Sequence, residues 1–177
     1  YVMDAPAKIL VADDDPTVRL LMRAWLSKAG FVVTLAMDGT EAMQLFAQAA
    51  YDMVILDVNM PQLNGIDACL ELRAQAGEYL PIVIMTGVED TVSVEAAYRS
   101  GATDFIAKPV NWALLGHRAH FILRAARALS ELGAAVARSK QAEADLLRSQ
   151  SQLASTLKAI PDLLFEIGLD GRYYSAH

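Results

Sequence analysis

The chain has 177 residues, room for one domain and an appendage, and 54% hydrophobic content, ample for a core. Its net charge of −6 is uneven: residues 1–118 hold 8 Lys/Arg against 15 Asp/Glu, and residues 119–177 hold 7 against 6. An acidic body and a near-neutral tail argue against nucleic acid as a direct partner of this segment. A single cysteine, Cys69, excludes an intrachain disulfide and suits a reducing cytoplasm, and without a membrane-length apolar run or signal pattern the expectation is a cytoplasmic protein with no membrane partner.

Five short β-branched runs, at 8–12, 31–36, 52–57, 82–86 and 104–107, alternate with amphipathic stretches. The first run ends in Asp13-Asp14. Asp15-Pro16 then supplies an N-cap and an N1 proline, and Gly30 follows the last apolar position of that helix. Asp38 with Glu41 reads as a capping box for a helix to about residue 49. The third run ends on Asp57, and Pro61 and Gly65 shape the loop before a helix from Ile66 to Ala74, with Ile66, Leu70 and Arg73 at helical spacing. The fourth run ends on Thr86, Asp90 caps a helix stopping near Gly101, and the fifth run leads into Lys108. Five βα units predict an α/β, doubly wound three-layer sandwich.

In an open parallel sheet the carboxyl ends of the strands gather along one edge, where such folds bind ligands. Asp13, Asp14, Asp57, Thr86 and Lys108 would meet there. Crowded carboxylates want a hard divalent cation, and a lysine and a hydroxyl can hold an anionic oxygen beside it. That combination points to phosphoryl transfer onto an aspartate. Asp15 reads as a helix cap rather than a further ligand. Trp25 and Trp112 read as packing residues, and Cys69 as a small helix residue facing the core. His117 and His120, three apart on a helix, could bind zinc only with a third ligand that the sequence does not offer, so a helix-surface place suits them better.

Beyond Pro109 no proline occurs until Pro161. Apolar positions alternate in steps of three and four from Ile122 through Ala125, Leu129, Leu132, Val136, Leu146, Leu153 and Leu157 to Ile160, with Ser139, Glu143 and Gln150 as polar members of the same heptad series. A helix of this length, roughly 58 Å, cannot bury its stripe on a small domain. A parallel two-stranded coil through residues 120–160 is therefore expected, with a helix folded back on its own domain as the alternative. Residues 159–174 read as strand, Asp170-Gly171 turn, strand.

The segments Ile9-Leu-Val-Ala-Asp13-Asp14-Asp15, Leu56-Asp57-Val58-Asn59-Met60-Pro61-Gln-Leu-Asn-Gly65, Met85-Thr86-Gly87, and Gly101-Ala102 followed by Phe105-Ile-Ala-Lys108-Pro109 occur in this order at domain-scale spacing. Together they resemble a response-regulator receiver domain, so the resemblance implies a flavodoxin-like sheet of order 2-1-3-4-5. It implies Asp57 as phosphoacceptor, taking its phosphoryl group from the phosphohistidine of a sensor histidine kinase or phosphotransfer protein. It implies Mg²⁺ (or Mn²⁺) held by Asp14, Asp57 and the main-chain carbonyl of Asn59, with Asp13 acting through a bound water. Lys108 would pair with the phosphoryl oxygens and Thr86 bond one of them. Phe105 stands at the family's aromatic switch position, and a ring that swings when Thr86 moves and a core ring that stays put are both open. A haloacid-dehalogenase-like site does not fit, because Asp57-Val-Asn59 lies on the third strand with Asn in second place.

Residues 108–118 and the helix after them resemble receivers fused to cyclic-di-GMP output domains, and residues 158–172 resemble the opening strands of a PAS domain. The expected organisation is a receiver at 6–120, a coiled-coil signalling helix at 121–158 and an incomplete PAS-like segment at 159–177, with cyclic-di-GMP turnover (GGDEF/EAL) in downstream output domains. No stand-alone enzyme is expected within the segment. The competing reading is a phosphorylation-independent dimerisation scaffold.

Overall fold

The computed structural model describes residues 5–87, 91–159, 165–167 and 173–175, in two units that divide between Glu131 and Leu132. In the first unit, strands β1 (Lys8–Ala12), β2 (Val32–Ala36), β3 (Met53–Asp57), β4 (Ile82–Gly87) and β5 (Asp104–Lys108) form a parallel sheet in the order β2-β1-β3-β4-β5. Helices α1 (Pro16–Lys28), α2 (Gly39–Gln48), α3 (Gly65–Ala76), α4 (Thr91–Arg99) and α5 (Trp112–Ala159) follow the strands in turn. This is the doubly wound α/β fold that the alternation predicts, in the flavodoxin-like strand order that the receiver resemblance implies, with a long C-terminal helix.

Alternation along each buried strand makes two cores. Ile9, Val11, Met53, Ile55, Val83 and Met85 face Met22 and Leu26 of α1 and Leu115, Ala119, Ile122 and Leu123 of α5. Leu10, Ala12, Val54, Leu56, Ile82 and Ile84 face Ala42 of α2, Ala68, Cys69 and Leu72 of α3, and Ala97 of α4. Strands buried on both sides are continuous apolar runs, as parallel sheets require. Cys69 lies in the second core, and Trp25 and Trp112 pack against the first, as expected.

Capping chemistry sets where the helices begin. The Asp15 carboxylate accepts from the Thr17 N–H at 2.7 Å, with Pro16 at N1. Asp38 accepts from the Glu41 N–H at 2.8 Å, but the Glu41 carboxylate reaches past the cap to the Met37 N–H at 2.6 Å. The box is therefore one residue wider than predicted. Helix α3 starts at Asn64, whose side-chain oxygen accepts from Ile66 and Asp67. Its buried side carries Gly65, Ala68, Cys69 and Leu72, while Leu70 is exposed. Small residues let α3 approach the sheet, so the Ile66–Leu70–Arg73 spacing marks a neighbouring face. The predicted Asp90 cap lies outside the described residues.

In α5, Ile122 belongs to the receiver core instead of the predicted seam, whereas Leu129 is exposed. In the second unit Leu132, Val136, Leu146 and Leu153 are exposed on α5, and β6 (Phe165–Ile167) pairs antiparallel with β7 (Tyr173–Ser175). Ile160 and the Asp170-Gly171 turn lie outside the described residues. No helix among the described residues is long and apolar enough to cross a membrane.

Candidate functional site

Sheet register brings the polar strand ends together. Ala12 pairs with Leu56, placing Asp13 beside Asp57, and Asp57 pairs with Met85, one residue before Thr86. Thr86 pairs with Ala107 and Gly87 with Lys108. Asp13, Asp57 and Lys108 continue the alternation of Val11, Ile55 and Ile106, so all three point to the α1/α5 side of the sheet. Lys108 Nζ accordingly lies 2.8 Å from Asp57 Oδ1 and 3.1 Å from Asp13 Oδ2. Thr86 has the other parity. Its Oγ1 donates to the Gly87 carbonyl at 3.4 Å and is not bonded to Asp57 in this arrangement.

Burial separates the three acids. Asp13 is 0% and Asp57 4% exposed, whereas Asp14 is exposed. Asp13 Oδ1 also accepts from the Asp15 N–H at 2.9 Å. Burial raises the pKa of Asp57, and the charges of Asp13 and Asp14 add to the rise against the opposing hydrogen bond and charge of Lys108. For Lys108, burial works against the charge, but hydrogen bonds and attraction from Asp57 and Asp13 outweigh it and raise its pKa. Lys108 is thus the site's fixed cation.

Asp13, Asp14 and Asp57 each offer a carboxylate oxygen, all within 4.8 Å of one another. This hard-oxygen set, with one solvent-facing member, suits Mg²⁺, which accepts a few carboxylates and keeps several waters. Asn59 is exposed in the β3–α3 loop, two residues past Asp57. Gly65 lets α3 start against that strand end: a Cβ there would collide with the Asp57 carbonyl, and the Gly65 N–H donates to the Val58 carbonyl at 3.1 Å. Phe105 is half-buried, with the exposed Tyr98 edge-on at 5.9 Å.

The zinc alternative is not built. His120 Nε2 lies 3.0 Å from the Ala29 carbonyl and its ring packs on Phe31, while His117 is exposed. Among the described residues, the three aspartates are the one group of three such ligands. Sequence reasoning missed Arg19, whose Nη1 donates to the Asp13 carbonyl at 2.7 Å and the Asp14 carbonyl at 3.0 Å. A basic residue one turn into a helix that follows an acidic pair was the available signal.

The sequence profile of the response regulator receiver domain matches residues 9–120. The chain belongs to this family, as the receiver component of two-component signalling, and receiver domains bind Mg²⁺ at an acidic pocket of this kind. Over 104 residues it is 43% identical to the response regulator MprA of Mycobacterium sp. (strain KMS), covering 59% of this chain and 45% of that protein. It is 40% identical over 102 residues to the DNA-binding response regulator MtrA of Mycolicibacterium smegmatis, covering 58% and 44%. The chain thus spans under half the length of the curated relatives it matches. A crystal structure of a putative response regulator from Chloroflexus aurantiacus J-10-fl superposes with a TM-score of 0.64 at 33% identity, covering 67% of this chain and 98% of that one.

These relatives overturn the expectation of no direct nucleic-acid partner, since MtrA is a DNA-binding regulator. The physical reason is one of scope. The acidity of residues 1–118 describes the surface of a receiver, and it says nothing of the partner bound by a regulator that contains one.

Proposed function

We propose that this domain accepts a phosphoryl group on Asp57 from the phosphohistidine of a sensor kinase or phosphotransfer protein. The observation that carries the reading is the Lys108 ammonium bridging Asp57 and Asp13 at the end of β3, beside Thr86. An Asp57 carboxylate oxygen attacks phosphorus, the new O–P bond forms as the P–N bond to the donor imidazole breaks, and the imidazole leaves with the bond's electrons. Such transfer asks little of the protein beyond positioning and charge neutralisation. Mg²⁺ held by Asp14, Asp57 and the Asn59 carbonyl, with Asp13 acting through water, would supply much of that neutralisation, and Mn²⁺ suits the same oxygen donors. Lys108 would follow the phosphoryl oxygens, and Thr86 would turn its hydroxyl from the Gly87 carbonyl toward one of them, leaving room for Phe105 to move.

The test is intact mass after incubation with acetyl phosphate. With Mg²⁺ one phosphoryl group, about 80 Da carrying three anionic oxygens, should be added. Chelation of the metal or Asp57→Asn should abolish it. Full labelling of Asp57→Asn would overturn the assignment.

We further infer a receiver that takes in Ile122 and Leu123 of α5, a signalling helix over the rest of α5 to residue 158 that pairs with a second copy as a parallel coil, and a separate segment at 159–177. The exposed Leu129, Leu132, Val136, Leu146 and Leu153 support the coil. The antiparallel pairing of β6 with β7 supports the PAS-like reading of the last segment. For the output, the relatives' names favour control of transcription through DNA over the expected cyclic-di-GMP turnover. Capture of genomic DNA bound to the tagged native gene product, set against cellular cyclic-di-GMP on its deletion, would separate the two.

A further inference from the structure

We infer that Arg19 is a positioning residue for the cation site, acting through the main chain on either side of Asp14. The inference rests on the reading of Asp13, Asp14 and Asp57 as that site. Two of the three acids are oriented through their side chains: Asp57 by Lys108, and Asp13 by Lys108 and the Asp15 N–H. Asp14 is not. Its exposed side chain has no hydrogen bond or ion pair among the described residues, so what the fold fixes of its direction is the Cα–Cβ bond, which the backbone sets.

Arg19 holds that backbone. The carbonyls of Asp13 and Asp14 belong to the two planar peptide units that flank the Asp14 Cα. One nitrogen, Nη1, carries two hydrogens and donates to both, at 2.7 and 3.0 Å. Fixing both planes fixes the φ and ψ of Asp14, and therefore where its Cα–Cβ bond points. Arg19 is itself anchored, since its N–H donates to the Asp15 carbonyl at 3.1 Å in the first turn of α1. The guanidinium thus transmits the placement of α1 to a residue whose carboxylate has no hydrogen-bond partner among the described residues.

Positioning and plain electrostatics give opposite signs. A cation near the site repels Mg²⁺, so if charge were Arg19's only effect, neutralising it would tighten metal binding. If Arg19 orients Asp14, its loss weakens binding, by the 10–100-fold typical of residues that hold a metal ligand in place.

The experiment is calorimetric titration of the protein with Mg²⁺ alone, for the unchanged chain, Arg19→Gln and Arg19→Lys, with thermal unfolding of each in chelator. We expect cooperative unfolding of all three and a Kd raised about tenfold or more in Arg19→Gln. Arg19→Lys keeps the charge and most of the stem, which guards against misfolding, but lacks the planar fork, and its Kd should rise as well. A residue that only stabilises the fold would move the melting temperature and leave the Kd of the folded protein alone. Variants that bind Mg²⁺ as tightly as the unchanged chain, or more tightly, overturn this inference and leave the site reading standing. No Mg²⁺ binding by the unchanged chain overturns both.

Discussion

Asp57 ionises against its surroundings. Burial raises its pKa, Asp13 and Asp14 add to the rise, and Lys108 offsets only part of it. A carboxylate whose folded pKa lies above its unfolded value binds more protons when folded, so its ionisation costs stability as pH rises from the ordinary carboxylate range through the raised value. Without metal, Asp57→Asn should therefore raise the melting temperature at neutral pH by a few °C or thereabouts, and the gain should shrink as pH falls below the ordinary range, where both states are protonated. Thermal scans of both proteins across pH in chelator check this, and a variant melting lower at neutral pH would contradict the crowding. Much at this scale was legible in the sequence, because Asp13, Asp57, Thr86 and Lys108 each end a strand and parallel strands end together. Arg19 left only its place one turn into the helix after the acidic pair, since a bond from a long side chain to main-chain carbonyls five and six residues back leaves no periodic trace.

Among elements, Arg73 shows what periodicity misses. It lies near the end of α3, where its spacing with Ile66 and Leu70 suggests a helix face. In the fold its guanidinium donates to the Gly101 carbonyl through Nε and Nη2 at 3.0 and 2.8 Å, to the Gly77 and Leu80 carbonyls at 2.8 Å, and to Thr103 Oγ1 at 3.4 Å. One side chain thereby ties the end of α3 to the turns before β4 and β5. Hydrogen bonds to a charged donor contribute more than neutral ones, and these act as one unit, so Arg73→Met should cost on the order of 2–4 kcal/mol in denaturant unfolding. A loss under about 0.5 kcal/mol, usual for a surface substitution, would mean the clamp is idle. Strands and most caps were legible because Asp-Pro, Asp38 with Glu41 and β-branched runs act locally. The buried face of α3 was not, because close approach selects Gly65, Ala68 and Cys69, which carry little hydrophobic signal.

At the scale of the molecule, the proposed pairing of α5 with a second copy rests on its exposed leucines and their heptad register. The polar members Ser139, Glu143 and Gln150 weaken the middle of such a seam, and weak layers suit a coil with two close-lying packings that phosphorylation can bias. Sedimentation at tens of micromolar should therefore give a dimer without phosphate, and a monomer would mean that α5 acts by docking and release. Overall charge was the poorest guide at this scale, since it described a receiver surface and not what its regulator binds. Acyl-phosphate chemistry distinguishes Asp57 from every other phosphoryl acceptor. Borohydride reduces an aspartyl phosphate to homoserine and leaves free carboxylates intact. After acetyl phosphate and Mg²⁺, reduction and peptide mapping should find homoserine at position 57 alone. Homoserine at Asp13, Asp14 or elsewhere, or at no position in a chain that has gained phosphate, would contradict the account.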